Sequence, residues 1–523
     1  MTRPVAQPLG RVVRNSGFLF AGTAVTAVTS LVSVPVVYDR LGEQAYGVWA
    51  VLTGLVAVVA LADMGLGAVQ VREVALTAGG GDHRRARAVL ALGWLGGAGV
   101  GALALAATAV CWSGVAWVFE LGRLADEAFG AVSLMLLGLL VDSTSMPWRA
   151  VLEGRQHYGP VGVIIGVTAV LGTGLTVLAA LRGGGLVWLG ASVAATSVVR
   201  SALLVGAARR CVPELSPRLG EVRWSDLTAV ASFGIRVQAS NAGAVVNNQA
   251  DRLVLGGFFD LRTVAEFDIG SRLVNTLRML PSFVLTAFFP AAATMAGAEE
   301  THRLDRLYVA MTRYLAAFAA IGAAALVVAA DPLVRLWLGR PAPIAAATIM
   351  VLAPGYAVTM AAGAAAMLTR AEGCPGRETR STVLAAVLNV ALTIPLMLLM
   401  GPMGVPLATT LALSLVTAYF VLHFHRSSRR PIAPVVRVFW PPVVAAVVAG
   451  GVTWLLRSDL PDGPGRAAAG AAVACRCGLT LSVAAVVLAA LGFFRFPGRT
   501  RLPTTASGPT PRAALHAIRR MRR

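Results

Sequence analysis

Between residues 236 and 278, polar side chains with recognisable chemistry interrupt two otherwise apolar stretches. Arg236, Ser240, Gly243, Asn247 and Asp251 step by 4, 3, 4 and 4 residues, which places them on one face of a helix. Asn241, Asn248 and Arg252 form a stripe beside it, and in the next stretch Asp268, Arg272 and Asn275 share a face while Arg278 lies about half-way along. Two chemistries fit this pattern. Guanidinium groups are weakly hydrated planar forks that hold phosphate oxygens in pairs, and the Asn and Ser beside them suit sugar hydroxyls. On that reading Arg236, Ser240, Asn247, Arg272, Asn275 and Arg278 line a substrate cavity, with Arg278 deepest. On the other reading Asp251 or Asp268 pairs with Arg252 or Arg272 and simply ties two helices together. Two more carboxylates, Asp63 and Asp142, lie in apolar surroundings earlier in the chain. They are candidates for carrying a proton or a cation, or else for pairing with Arg72 and Arg149.

The elements that position these groups are membrane helices. The chain has 523 residues, 57% hydrophobic and only 13% charged, with a mean hydropathy of +0.72. A soluble chain carries about 25% charged residues, so a water-soluble enzyme is excluded. Run length and flanking charge predict about fourteen spans: 15–38, 46–71, 88–110, 127–148, 160–181, 186–207, 227–250, 264–293, 310–330, 344–368, 381–400, 404–424, 438–457 and 467–494. The fold class is all-α and polytopic. The linker between spans one and two (Leu41 to Gly47) and that between spans seven and eight (Leu261 to Phe267) both place an aromatic at the mouth of the next helix. Six spans therefore separate the two, and an even number brings both halves in from the same side. This gives two pseudo-symmetric six-helix lobes, 1–215 and 216–430, around a central cavity. Two additional helices (431–494) and a basic tail (495–523) follow. Pro35, Pro281 and Pro395 fall inside spans, where helices can bend.

The net charge of +20 does not point to nucleic acid, because all 45 basic residues are Arg and crowd into alternate loops. Placing the side with most of them inside puts both termini in the cytoplasm. Of the basic tail, Arg512, Arg519, Arg520, Arg522 and Arg523 suit anionic inner-leaflet lipid. Cys111, Cys211, Cys374, Cys475 and Cys477 show no disulfide or zinc spacing and read as packing residues, so no metal or cofactor is expected. His423 and His425 read as a solvated helix end. Thr26, Thr29 and Ser33 line one face of span one with Gly22, and Gly97 and Gly101 form a GxxxG pair; both features read as helix packing.

Span one ends in Val-Pro-Val-Val-Tyr-Asp-Arg-Leu-Gly-Glu-Gln-Ala-Tyr-Gly-Val-Trp (34–49), and span two closes with Leu-Ala-Asp-Met-Gly-Leu-Gly (61–67). With Asn-Asn-Gln-Ala-Asp-Arg-Leu-Val-Leu-Gly (247–256), this resembles the polysaccharide-transporter, Wzx-like oligosaccharide flippase family of the multidrug/oligosaccharidyl-lipid/polysaccharide superfamily. The resemblance covers about residues 10 to 430. It implies a V-shaped pair of lobes and alternating access. It also implies a bacterial cytoplasmic-membrane flippase rather than an enzyme. The expected partners are undecaprenyl-diphosphate-linked glycan, membrane lipid and other membrane proteins of polysaccharide assembly. The alternative is a cation-coupled multidrug antiporter of the same superfamily. A membrane glycosyltransferase or glycan polymerase would need a sizeable external loop with catalytic carboxylates, and the external segments are short.

Overall fold

The computed structural model describes residues 9–63, 66–77, 80–223, 249–298, 300–374 and 376–494, and among these it is helical with no strand. Arg236, Ser240 and Asn247 lie outside the described residues. The helices are α1 (Leu9–Val59), α2 (Leu66–Thr77), α3 (His83–Val118), α4 (Ala125–Gly154), α5 (Tyr158–Leu181), α6 (Gly185–Cys211), the described part of α7 (249–258), α8 (Leu261–Gly297), α9 (Thr301–Leu338), α10 (Pro343–Ala361), α11 (Gly363–Ala371), α12 (Gly376–Met400), α13 (Gly404–Ser427), α14 (Ala433–Leu455) and α15 (Arg466–Ala490). Ten stretches are long and apolar enough to cross a membrane. Val110, Trp117, Leu398 and Leu455 stand exposed on their outer faces. Lipid is the solvent that accepts such a surface, since each helix already satisfies its own backbone.

At about 1.5 Å per residue, the 51 residues of α1 would far exceed a hydrocarbon core of roughly 30 Å if straight. Gly42 divides it, with φ 81° and ψ 171°, a conformation that a side chain would oppose. The second piece of α1 ends earlier than the apolar run predicts. It passes into a 3-10 turn, Ala60–Asp63, and the next described helix begins at Leu66. Glycine at positions 65 and 67 lowers helix propensity there.

Helices 1 to 6 pack as one set, with α4 along α6, α1 along α5 and α3 along α4; α8 to α13 form a second, with α10 against α8, α9 and α13 and α12 along α13. The largest apolar core joins the two sets. It contains Tyr46, Val48 and Leu52 from α1 with Leu255, Val264, Phe267 and Ile269 from α7 and α8. Towards the opposite end the cores separate. One holds Val74, Leu90, Val151 and Leu204 of the first set, and the other Leu304, Tyr308, Leu368 and Phe424 of the second. The two sets are thus fused at one mouth and independently packed at the other.

The last two helices lean on α9. Their connection is pinned by Asp462, which accepts from Arg335 Nη2 at 2.6 Å and from Arg476 Nη2 at 3.0 Å. Burial alone would raise the Asp462 carboxyl, but its bond to Arg335 and the charges of Arg335 and Arg476 outweigh it and hold it below its ordinary value. A depressed folded value stabilises the fold above the unfolded pKa of about 4, and the contribution fades as pH falls through the folded value. Asp462→Asn should therefore lower the thermal midpoint at neutral pH, with the deficit shrinking below about pH 4. Melting of the detergent-solubilised protein across that range checks the sign; a constant deficit would assign the effect to packing alone.

Candidate functional site at the closed mouth

Asp268 sits at the centre of the fused end and has no exposed surface. Asp260 starts α8 by accepting from the Thr263 amide at 2.8 Å, an N-cap that fixes the register of this helix. Two turns along, Asp268 Oδ2 accepts from Arg272 Nε at 2.6 Å, one turn ahead on its own helix. The same oxygen accepts from the Tyr46 hydroxyl at 2.8 Å, across the lobe boundary. Arg252 Nη2 of α7 lies 2.7 Å from the other oxygen, an ion pair whose angle falls short of a hydrogen bond. Tyr46 is itself braced edge-on by Tyr38, with ring centroids 5.3 Å apart. Beside it Gly47 is packed so tightly that a Cβ there would collide with the Leu261 carbonyl.

A ring of weaker contacts surrounds this centre. Glu43 pairs with Arg262 at 3.1 Å and with Arg340 at 3.7 Å. The Arg340 guanidinium lies 4.2 Å from the Tyr38 ring centroid, and Trp337 Nε1 donates to the Leu31 carbonyl at 3.0 Å. Glu266 accepts from the Ile344 amide at 2.8 Å and so caps α10. Above the ring opens a hollow of about 800 Å³ lined by Glu43, Glu120, Arg123, Asp260 and Arg262. Among the described residues the ion pairs that cross the boundary are the part-exposed ones of Glu43, and the buried network on Asp268 crosses it through the Tyr46 hydroxyl.

The expected cavity residues are dispersed. Arg272 is engaged by Asp268. Arg278 lies with its guanidinium 4.9 Å from the Tyr356 ring centroid and borders a separate hollow of about 260 Å³ with Thr359, Ser381 and Thr382. Asn275 keeps its Oδ1 buried without a partner among the described residues.

The carboxylates also sort differently from the sequence expectation. Asp268 takes both Arg252 and Arg272, whereas Asp251 takes neither. Asp251 Oδ2 accepts from Thr409 at 2.6 Å, and Thr409 in turn accepts from Asn389 Nδ2 at 3.0 Å. Its Oδ1 has no partner among the described residues. Asp142 is not paired with Arg149, which bonds Glu153 at 2.7 Å one turn along its own helix. Its partners come from α6: Ser197 Oγ donates at 2.7 Å, and Arg200 donates from Nε at 3.0 Å and also from Nη2. Arg200 and Thr409 escaped sequence reading because the Ser and Thr beside them read as ordinary helix-packing residues, and nothing local names the carboxylate that each one meets. The Asp63 backbone closes the 3-10 turn. His425 is buried, not solvated, and shares a 3.0 Å hydrogen bond with Tyr308. Gly97 and Gly101 do pack closely, against Ser143 and Leu140.

Fold and closure together define a multi-pass membrane protein with two helical lobes meeting at one mouth. Its chain belongs to the polysaccharide biosynthesis protein family, whose model matches residues 40–341. This agrees with the resemblance carried by residues 34–49 and 61–67. The fold is that of the same superfamily's transporters. A structure of the lipid II flippase MurJ in an inward closed conformation aligns with a TM-score of 0.69 at 12% identity, over 91% of this chain and 98% of that one. An inward-facing multidrug resistance MATE family transporter of the MOP superfamily aligns with a TM-score of 0.62 at 14% identity, over 78% and 98%. A MOP superfamily transporter from Pyrococcus furiosus, described as having a binding pocket of reversed polarity, aligns with a TM-score of 0.58 at 14% identity, over 81% and 96%. No curated protein sequence matches this chain.

The closure makes a quantitative prediction. Tyr46→Phe removes one hydrogen bond to a charged acceptor and leaves the ring in place. Such a bond is worth about 1.5–3 kcal/mol, so the ratio of closed to open mouth should fall by roughly 10- to 150-fold. Spin-label distances between the 119–124 and 339–342 segments would report it as a new, longer population. An unchanged distance distribution would show that the apolar core alone holds the mouth.

Proposed function

We propose that this protein moves a lipid-linked glycan across the cytoplasmic membrane of a bacterium by alternating access. The observation that carries the reading is the contrast between the two mouths, one sealed by a breakable polar network and a shared core, the other bordered by two separate cores. A passage that opens to each side in turn needs such a seal on one side and independence on the other. The family's description points to polysaccharide biosynthesis, and a fold relative is named as a flippase of lipid II. Arginine excess puts the sealed mouth outside and both termini inside. We divide the chain into lobes 1–215 and 216–430, with 431–494 appended.

Within that cycle Arg278 is the diphosphate grip. Its hollow is bordered by Thr359, Ser381 and Thr382, whose hydroxyls donate to their own helices, so the Arg278 guanidinium is the group there that suits phosphate oxygens. Arg236, Ser240 and Asn247, which lie outside the described residues, belong to the same assignment by their spacing in the sequence. Arg272 joins it when the mouth opens and Asp268 is shared differently. Ion coupling fits Asp251 better than Asp142, because Asp142 already spends both oxygens on Arg200 and Ser197. Asp251 is buried among neutral partners and has one oxygen to spare, so a proton or small cation changes its energy most.

Two substitutions test this in proteoliposomes, with a fluorescent sugar on undecaprenyl diphosphate as probe. Arg278→Ala should abolish flipping while insertion and folding persist, and Arg278→Lys should restore only part, since a point charge lacks the paired fork. Asp251→Asn should retain substrate binding and lose dependence on the ion gradient. Wild-type rates in both Arg278 variants would remove the grip from this position, and gradient-dependent flipping in Asp251→Asn would remove the coupling.

A further inference from the structure

The first lobe encloses a cavity of about 640 Å³ between α1, α4, α5 and α6 that the closure and the diphosphate grip do not use. Its size falls within the roughly 300–1,000 Å³ of small-ligand pockets. The wall is unusual for a membrane helix bundle, because eleven Ser and Thr residues border it.

The direction of their hydrogen bonds matters more than their number. Thr26 donates to the Gly22 carbonyl, Ser33 to Ser30, Thr168 to Ile164 and Thr196 to Ser192, at 2.7–3.0 Å. A hydroxyl that has spent its proton on its own helix keeps two lone pairs to offer. The wall is therefore rich in acceptors, and its natural complement is a ligand rich in O–H or N–H donors.

Charge decides between those two. The carboxylate on the wall, Asp142, is satisfied by Arg200 and Ser197, and the charge of Arg149 is matched by Glu153. Among the described side chains no unpaired anion faces the cavity, so a cationic ligand finds no countercharge, and the acceptor lone pairs disfavour an anion. A neutral sugar meets neither cost.

Gln70 supplies the independent sign of a ligand. Its side chain is almost wholly buried on the cavity wall, and neither its Nε2 nor its Oε1 has a partner among the described residues. Such an amide is costly to leave unmade, and it offers both donors and an acceptor. The backbone makes room for it: a Cβ at Gly93 would overlap the amide. Gly93 thus keeps a slot open for a group that has no partner among the described residues.

We propose that this cavity seats sugar units of the lipid-linked glycan, which donate to the hydroxyl wall and pair with the Gln70 amide. The assignment rests on the flippase reading above and separates the sugar subsite from the diphosphate grip at Arg278. It selects neutral, hydroxyl-rich sugars and disfavours amino sugars with a free ammonium.

The full-length protein in lipid nanodiscs tests it with two probes, undecaprenyl diphosphate and the same lipid carrying a neutral disaccharide. The wild type should bind the sugar-bearing lipid about tenfold or more tightly than the bare one, as a few net hydrogen bonds allow. Gln70→Leu and Thr196→Val should each reduce that advantage about fivefold, leave affinity for the bare lipid unchanged, and leave the thermal midpoint equal or higher for Gln70→Leu. Equal binding of the two lipids by the wild type, or an undiminished advantage in both variants, would overturn the sugar subsite and leave the flippase reading intact. Binding of neither lipid would sink both, as would a lipophilic cation such as tetraphenylphosphonium occupying the cavity in competition with nothing.

Discussion

A carboxylate with no exposed surface must be balanced by nearby positive charge and donors, and Asp268 is balanced from three directions. One partner, Arg272, is on its own helix, a second, Arg252, is on α7, and the third, Tyr46, comes from the other lobe. Removing water from such a group is costly; the two guanidinium partners recover most of that cost, and the Tyr46 hydroxyl adds to the recovery only while the lobes are together. The position of α1 against α7 and α8 follows from that requirement. So does the tight packing of Gly47 against the Leu261 carbonyl and the continuity of the largest apolar core across the lobe boundary. The network also explains how a large apolar contact can be reversible. Parting the lobes leaves Asp268 with two guanidinium partners, so no buried charge is stranded, and the loss is chiefly one tyrosine hydrogen bond and the rim pairs of Glu43.

The two lobes share a plan but use their polar interiors differently. In the first, Asp142 and Arg200 neutralise each other on the wall of a hydroxyl-rich cavity. In the second, Asp251 stays among neutral amide and hydroxyl groups, and Arg278 lies over Tyr356. A lobe with paired charge is suited to hold a polar, donor-rich group without trapping ions. A lobe with an uncompensated carboxylate is suited to respond to an ion.

Much of the architecture was legible in the sequence because membrane helices announce themselves by run length. The linker from Leu41 to Gly47 and the stripe Asp268–Arg272–Asn275 were visible for the same reason: each is a local pattern. What escaped were relations between distant residues. Nothing near Asp268 names Tyr46 as its partner, 222 residues away, and nothing near Asp142 names Arg200 rather than Arg149. The break after Val59 was hidden by a hydropathy that stays high through the 3-10 turn, since hydropathy counts side chains and not backbone bonds. The hydroxyls on α1 looked like packing residues because one face of one helix does not show that three other helices bring hydroxyls to meet it.

The account stands on the claim that the mouth sealed at Asp268 must open for a glycan to cross. Its most direct test is to tie that mouth shut. With the five native cysteines replaced by serine, Glu43→Cys and Arg262→Cys can be bridged by a short methanethiosulfonate reagent that a reductant cleaves. The two positions face each other across the lobe boundary, where their native side chains pair at 3.1 Å. Flipping of a labelled undecaprenyl-diphosphate sugar in proteoliposomes should stop when the bridge forms and return when it is reduced. Flipping that continues at its original rate with the bridge complete would contradict the account.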